Sequence, residues 1–313
     1  MTELADASPF FDALRQEDLF PIREVSRVTG VNPVTLRAWE RRYGLIQPTR
    51  TDSGHRLYSA TDIETVRSIL AWIERGVAVS KVGKILARQD ERNVLAEPED
   101  GTRNNEWAEW QAHTARAVAA FDAVQLERLY GQVFASYSLA VVFERIFMPL
   151  WQDLLLRRDA FGQTSEWLFL DSFLRARVLQ RLQLAAAGPG NVLLSAWPGH
   201  CHELELLVAG LLLAGEDGPL RVLAYGQPMA ELALVCDKVR PPALVLFSNK
   251  PTDEAAKQLT RLALTLPCPL LLAGEAAELL QDELAGSPVA CLGNEGSLMR
   301  RRLQQFLAGR LDS

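Results

Sequence analysis

The sequence predicts a multidomain chain: an all-α head with a two-stranded wing, a four-helix bundle, and a C-terminal α/β domain on a doubly wound parallel sheet. Three observations carry this. Two short apolar-periodic helices meet at Gly30-Val-Asn-Pro33. Residues 106–187 are poor in Gly and Pro and place apolar residues every three to four positions. From Asn191 onward, short apolar runs alternate with helical stretches.

In the head, Ile22, Val25 and Val28 recur every three residues and mark one apolar helix face, which Gly30 ends. Asn32 is placed as an N-cap and Pro33 at the first helical position, where a missing N–H costs nothing, so a second helix follows at once. In that helix Leu36, Trp39 and Tyr43 share the packing side, while Thr35, Arg37, Arg41 and Arg42 mostly point elsewhere. Tyr43 could pack or face outward. Arginine suits a DNA-facing surface because its planar fork takes two phosphate oxygens, or O6 and N7 of guanine, bidentately. The turn formers Pro48, Asp52, Ser53 and Gly54 lie between short extended runs and predict a wing with His55 and Arg56 near its tip. Ser59 and Asp62 form the capping box of a helix over Ala60 to Arg75. Gly76 breaks it, and Ser80 caps a further short helix to about Arg88.

This head is predicted to be a winged helix-turn-helix, and its residues resemble the MerR family of transcription regulators. The resemblance rests on Ile22-Arg-Glu-Val-Ser-Arg-Val-Thr-Gly-Val31, Leu36-Arg-Ala-Trp-Glu-Arg-Arg-Tyr-Gly-Leu45 and Gly54-His-Arg-Leu-Tyr58. It implies a homodimer that binds a pseudo-palindromic promoter as double-stranded DNA, bends and untwists it, and meets RNA polymerase there. It also carries Thr35, Arg37, Arg41, Arg42 and Tyr43 over as recognition-helix contacts, and His55, Arg56 and Tyr58 as wing contacts.

Charge follows the same division. Residues 21–90 hold 12 Lys and Arg against 7 Asp and Glu, a balance of +5, whereas the whole chain stands at −6, so the rest sums to −11. An acidic remainder repels the DNA backbone and leaves the head as the reader. With 313 residues and 48% hydrophobic content, two or three domains with their own cores are expected. Cys201, Cys236, Cys268 and Cys291 lack pair spacing, and Cys236, Cys268 and Cys291 are expected to be buried small hydrophobes. No signal-peptide pattern appears, and the apolar run Leu206 to Ala214 is too short to cross a bilayer, so a reducing cytoplasm and no membrane partner are expected.

The expected organisation is a flexible arm (1–19), the head (20–88), a polar linker (89–105), the bundle (106–188, closed by Gly188-Pro-Gly190) and the α/β domain (189–313). Strands are expected at Val192 to Ala196, Arg221 to Tyr225, Ala243 to Phe247, Pro269 to Ala273 and Val289 to Leu292. Right-handed crossovers make the sheet flavodoxin-like or Rossmann-like. Its ligand crevice then falls at the strand ends, with His200, His202, Glu205, Gln227, Ser248 and Gly274 as candidate lining.

The bundle-plus-sheet order resembles the cobalamin-binding region of the CarH and LitR light-responsive repressors, and its counterpart in the related MlrA-like regulators, where cobalamin use is not expected. That resemblance implies a motif Glu/Asp-x-His-x-x-Gly after the first strand, in which the histidine ligates cobalt. Here the matching residues are His200-Cys-His-Glu-Leu-Glu205: His202 keeps the ligand position, His200 replaces the orienting acid, and Glu205 replaces the glycine. A bulky anion then occupies the space meant for the nucleotide tail. Where the family has a tryptophan followed by a Glu-His pair above the corrin, this chain has Leu156 and Glu166-Trp167. No cofactor is therefore expected, and an unknown small ligand or signalling protein is the expected effector. A cobalamin-dependent, light-responsive repressor is the alternative.

Neighbouring positions of the His200-Cys201-His202 run cannot converge on one ion, so no metal site is expected there. An enzyme reading, such as a corrinoid-dependent module, lacks parts: there is no G-x-G-x-x-G or Walker loop, no His-Glu-x-x-His and no nucleophile elbow. Glu203 and Glu205 diverge on a helix and make a poor acid/base pair.

Overall fold

A computed structural model describes residues 19–51, 55–74, 77, 79, 80, 82, 83, 86, 101–185, 191–215, 220–250 and 254–310. Its contacts divide the chain into two units, Met1–Glu97 and Pro98–Ser313. The expected arm, the wing-tip residues Asp52 to Gly54, Gly76, the chain from 87 to 100 and the Gly188-Pro-Gly190 closure lie outside the described residues.

In the first unit, α1 (Ile22–Thr29) ends at Gly30 in the left-handed region, and α2 (Pro33–Ala38) starts with the Asn32 side chain accepting from the Val34 amide at 2.9 Å. The helix widens into a π-helical turn, Trp39–Tyr43, and stops at Gly44. Val25, Leu36, Trp39, Leu45 and Ile46 are buried. Tyr43 is 42% exposed, so of its two sequence readings the outward one holds. Strands β2 (Thr49–Arg50) and β3 (Arg56–Tyr58) pair antiparallel. An edge strand the sequence did not announce, β1 (Phe20–Pro21), pairs on the other side of β3. Helix α3 (Ala60–Glu74) carries the expected capping box: the Asp62 amide donates to Ser59 Oγ at 3.1 Å and the Ser59 amide to Asp62 Oδ2 at 2.8 Å.

In the second unit, α4 (Gly101–Ala119) already begins inside the stretch expected to be linker, because the polar run before Trp107 continues that residue's helix. Then follow α5 (Ala123–Ser136), the three-part helix α6 (Leu139–Val141, the π-turn Val142–Phe147 and Met148–Leu156) and α7 (Gln163–Ala185). Their apolar faces, including Phe143, Phe147, Trp151, Leu170 and Leu174, form a core that continues into Leu204, Leu207 and Leu211 of α8 (Glu203–Ala214). The helical segments and the α/β part therefore share one core.

The remaining chain gives β4 (Val192–Ala196), β5 (Leu220–Val222), α9 (Leu232–Val239), β6 (Leu244–Phe247), α10 (Ala255–Thr265), β7 (Leu270–Ala273), α11 (Glu275–Leu279), β8 (Val289–Gly293) and α12 (Gly296–Leu307). All five strands are parallel, in the order β5-β4-β6-β7-β8. That is the flavodoxin-like order 2-1-3-4-5, with its switch point between β4 and β6. Strand β5 stops at Val222, short of the expected Tyr225, because Ala224 to Gln227 turn. The run of wholly buried residues along β4, β6 and β7 reflects apolar cores on both faces of the sheet.

Candidate nucleic-acid interface and strand-end crevice

Arg37, Arg41 and Arg42 are exposed on the α2 turns, opposite the buried Leu36 and Trp39. Among the described residues none of the three forms an ion pair, and Thr35 beside them is half-buried. His55 is exposed, its amide donating to Thr51 Oγ1 at 3.0 Å and its carbonyl accepting from the Thr51 amide at 2.9 Å, so the wing begins on a fixed backbone.

Two of the expected wing contacts are held by the protein's own residues. Tyr58 is 0% exposed and, among the described residues, its hydroxyl has no hydrogen-bond partner: β3 sits between β1 and β2, and Tyr58 faces the core. Burial, with Glu40 nearby, raises its phenol above the usual range. Arg56 is only partly exposed and is engaged by Glu40 rather than free, which raises its guanidinium further.

Glu40 is the residue that sequence reasoning passed over. It stands between Arg37 and Arg41 in the chain and accepts from one residue on each of β2 and β3: from Arg56 and, at 2.8 Å, from Arg50. Burial works to raise its carboxyl, but the hydrogen bonds from Arg56 and Arg50 outweigh it and hold it below the ordinary carboxylate range. One carboxylate thus ties β2 and β3 to the helical turn Trp39–Tyr43. A lone acid followed directly by Arg41-Arg42, with Arg50 and Arg56 downstream, was the available sign.

In the second unit, the switch point is occupied by the protein's own side chains. The ring of His200 stacks on Trp197, centroids 4.7 Å apart and planes 5° apart, and its Nδ1 lies 3.2 Å from Ser248 Oγ. Burial lowers the imidazole below its ordinary value, which keeps it neutral. Glu205 accepts from the His202 amide at 2.6 Å and from Asn249 Nδ2 at 2.8 Å. Asn249 Oδ1 in turn accepts from the Glu275 amide at 3.1 Å. Gly274, at φ 91°, lets this loop close: a Cβ there would sit 2.6 Å from the Ser248 carbonyl oxygen. Among the six expected crevice residues, His200, Ser248, Glu205 and Gly274 come together, with Asn249 as the pin that was not foreseen. Gln227 lies in the turn after β5 and takes no part in these hydrogen bonds.

His202 turns the other way, toward the helices. Its ring meets Trp151 and Trp167 edge-on, with centroid separations of 5.4 and 6.0 Å. Beside it, Trp151 Nε1 donates to Asp171 at 3.0 Å, and Arg175 bridges Asp171 (2.7 Å) to Glu203 (2.8 Å). His200 and His202 therefore serve two different neighbourhoods and do not converge. Burial pushes the Cys201 and Cys236 thiols up to about 12 and Cys291 to about 11, so none is a thiolate at neutral pH.

A capped helix pair with exposed arginines, followed by a small antiparallel sheet, defines a helix-turn-helix module. Residues 20–89 match the family model described as MerR HTH family regulatory protein. The chain is 35% identical over 142 residues to the HTH-type transcriptional regulator MlrA of Salmonella typhimurium, covering 45% of this chain and 54% of that protein. It thus spans about half the length of that relative. It is 53% identical over 72 residues to the Escherichia coli protein of the same name, covering 23% of this chain and 30% of that one. A longer match, 28% identical over 262 residues, links it to the HTH-type transcriptional repressor CarA of Myxococcus xanthus and covers 82% of this chain and 86% of that one. Among the described residues, no helix is long and apolar enough to cross a membrane.

Proposed function

We propose that the chain is a promoter-binding transcription regulator in which a MerR-type winged helix-turn-helix reads double-stranded DNA as a homodimer and alters the promoter offered to RNA polymerase. The observation that carries this is the exposed trio Arg37, Arg41 and Arg42 beside a wing held by Glu40. Cations that form no ion pair among the described residues, on one small surface, gain most from phosphates and guanine edges. Electrostatic binding of this kind releases counterions, so affinity falls steeply with salt. The full-length chain is expected to enrich a pseudo-palindromic duplex from a random pool and to shift it in a gel. Enrichment of no common sequence would remove the proposal.

The four helices of the second unit, read as a bundle, together with the flavodoxin-like sheet form the sensory module, and we propose that it works without cobalamin. A flat macrocycle touched on both faces separates its two walls by about 7–8 Å, two van der Waals contacts of 3.5–4.0 Å. Here the ring of His202 is already in edge contact with Trp151 and Trp167, so no layer fits between them. The position that should orient the histidine is filled by His200, whose own ring stacks on Trp197. Glu205, at the small-residue position of the motif, is fastened by Asn249. The residues present do not fit the group. Adenosylcobalamin incubated with the protein in the dark is therefore expected to separate completely on gel filtration. A corrinoid absorption spectrum travelling with the protein peak, and lost in His202→Ala, would sink this reading.

A further inference from the structure

A second cavity, remote from the strand-end crevice, has a chemistry of its own. About 850 Å³ in volume, it opens among the α5–α6 turn, the end of α7, α8 and the start of α12. Leu139, Leu211 and Leu212 give it apolar lining, and Arg181, Arg300 and Arg301 line it as well. Its size falls in the range of small-molecule sites, roughly 300–1,000 Å³.

The three guanidinium groups have no carboxylate partner among the described residues. Arg181 is held in place by an apolar and neutral environment: its guanidinium carbon lies 4.0 Å from the Phe134 ring centroid, and its Nε is 3.3 Å from the Tyr130 hydroxyl. Arg300 lies against Gly215, where an added Cβ would come within 2.5 Å of its Nη1. Two acids close by are engaged within the protein, and the first, Glu295, accepts from Ser297 Oγ at 3.1 Å. Glu144 accepts from the Gly296 amide at 2.8 Å and caps α12, and burial, only partly offset by that hydrogen bond, raises its carboxyl. The Gly296 amide at the α12 terminus is therefore taken, and the cations that line the cavity are Arg181, Arg300 and Arg301.

We propose that this cavity binds a small apolar carboxylate, an acyl or aryl acid whose body lies on the leucines and whose carboxylate is taken by Arg181 and Arg300. Three like charges facing one cavity repel one another, and an entering anion relieves that repulsion while its hydrocarbon part covers apolar surface. A purely inorganic anion satisfies only the arginines, and a neutral hydrocarbon only the leucines.

Calorimetric titration of the full-length protein with decanoate, decanol and acetate separates these cases. Decanoate is expected to bind once per chain, at least about tenfold more tightly than either decanol or acetate, and to weaken as salt rises. The double variant Arg181→Gln, Arg300→Gln is expected to lose at least about tenfold in decanoate affinity while its weak affinity for decanol stays unchanged. Its melting temperature should fall by no more than about a few degrees, since Arg300 is exposed and Arg181 gives up only its Phe134 ring contact and one hydrogen bond to Tyr130. Ala140→Trp, which places a bulky ring among the lining residues, should block decanoate without touching a charge. Equal binding of decanol or acetate overturns the proposal, as does no decanoate binding, or full decanoate affinity in the Gln variant.

Discussion

Alanine at Arg37, Arg41 and Arg42 together is expected to lower affinity for the enriched duplex by at least about a hundredfold, since each lost base or phosphate contact costs roughly 1–3 kcal/mol. The slope of log affinity against log salt should become shallower by about one unit for each arginine that contacts phosphate. Folding should be unaffected, because all three side chains are exposed and among the described residues form no ion pair. Arg37→Ala alone separates roles: a base contact relaxes sequence preference at one position, whereas a phosphate contact weakens all duplexes alike. Arg56→Ala should act by a different route, because it removes one of the two wing arginines that Glu40 holds. Tyr58→Phe gives the internal control. Its hydroxyl is buried without a hydrogen-bond partner among the described residues, so its removal should leave DNA affinity unchanged and stability unchanged or slightly raised. A triple variant that shifts the duplex as well as the wild type would mean that the reading surface lies elsewhere.

What the sequence made legible was whatever depends on local rules. The Asn32 cap, the Ser59–Asp62 box and the apolar stripe through Leu36 and Trp39 are decided within a few residues, and the structure contains all of them. The five strands were equally readable, because a sheet buried on both faces needs uninterrupted apolar runs. The edge strand Phe20–Pro21 was not, since two residues carry no period and acquire strand geometry only from β3. The burial of Tyr58 follows from that same pairing. Glu40 could not be assigned because its value comes from Arg50 and Arg56, ten and sixteen residues away, folding back onto one carboxylate. Likewise His200 and His202, two positions apart in the chain, take different surroundings only once Trp197 on one side and Trp151 and Trp167 on the other are in place. The Asp171–Arg175 pair had the i, i+4 spacing of an ordinary surface pair, and nothing local says that it faces Trp151 and Glu203.

That network makes Trp151 the position where the second unit is most vulnerable. The side chain is wholly buried, among the largest in the core, and it touches both the His202 ring and Trp167. Trp151→Ala is expected to cost about 3–5 kcal/mol, the loss of a large buried aromatic plus the void it leaves. For a unit of this size that corresponds to a fall in melting temperature of roughly 6–20 °C. Trp151→Phe keeps most of the ring but removes the N–H that Asp171 accepts at 3.0 Å, so its cost should be about 1–3 kcal/mol. The difference between the two variants measures packing, and the smaller loss measures the hydrogen bond. Arg175→Ala tests the other end: Asp171, its side chain 9% exposed, would keep only the indole N–H, while Glu203 would lose a partner already half in solvent. Its cost should fall below that of Trp151→Ala, because water can reach the vacated guanidinium position, 36% exposed in the native state. Urea titration reads all three, with the slope held constant if only stability changes. If Trp151→Ala loses less than about 1 kcal/mol, the helices and the sheet are not joined through this contact. The space above His202 would then be plastic enough to admit a ligand, and the argument against a macrocycle there would fall with it.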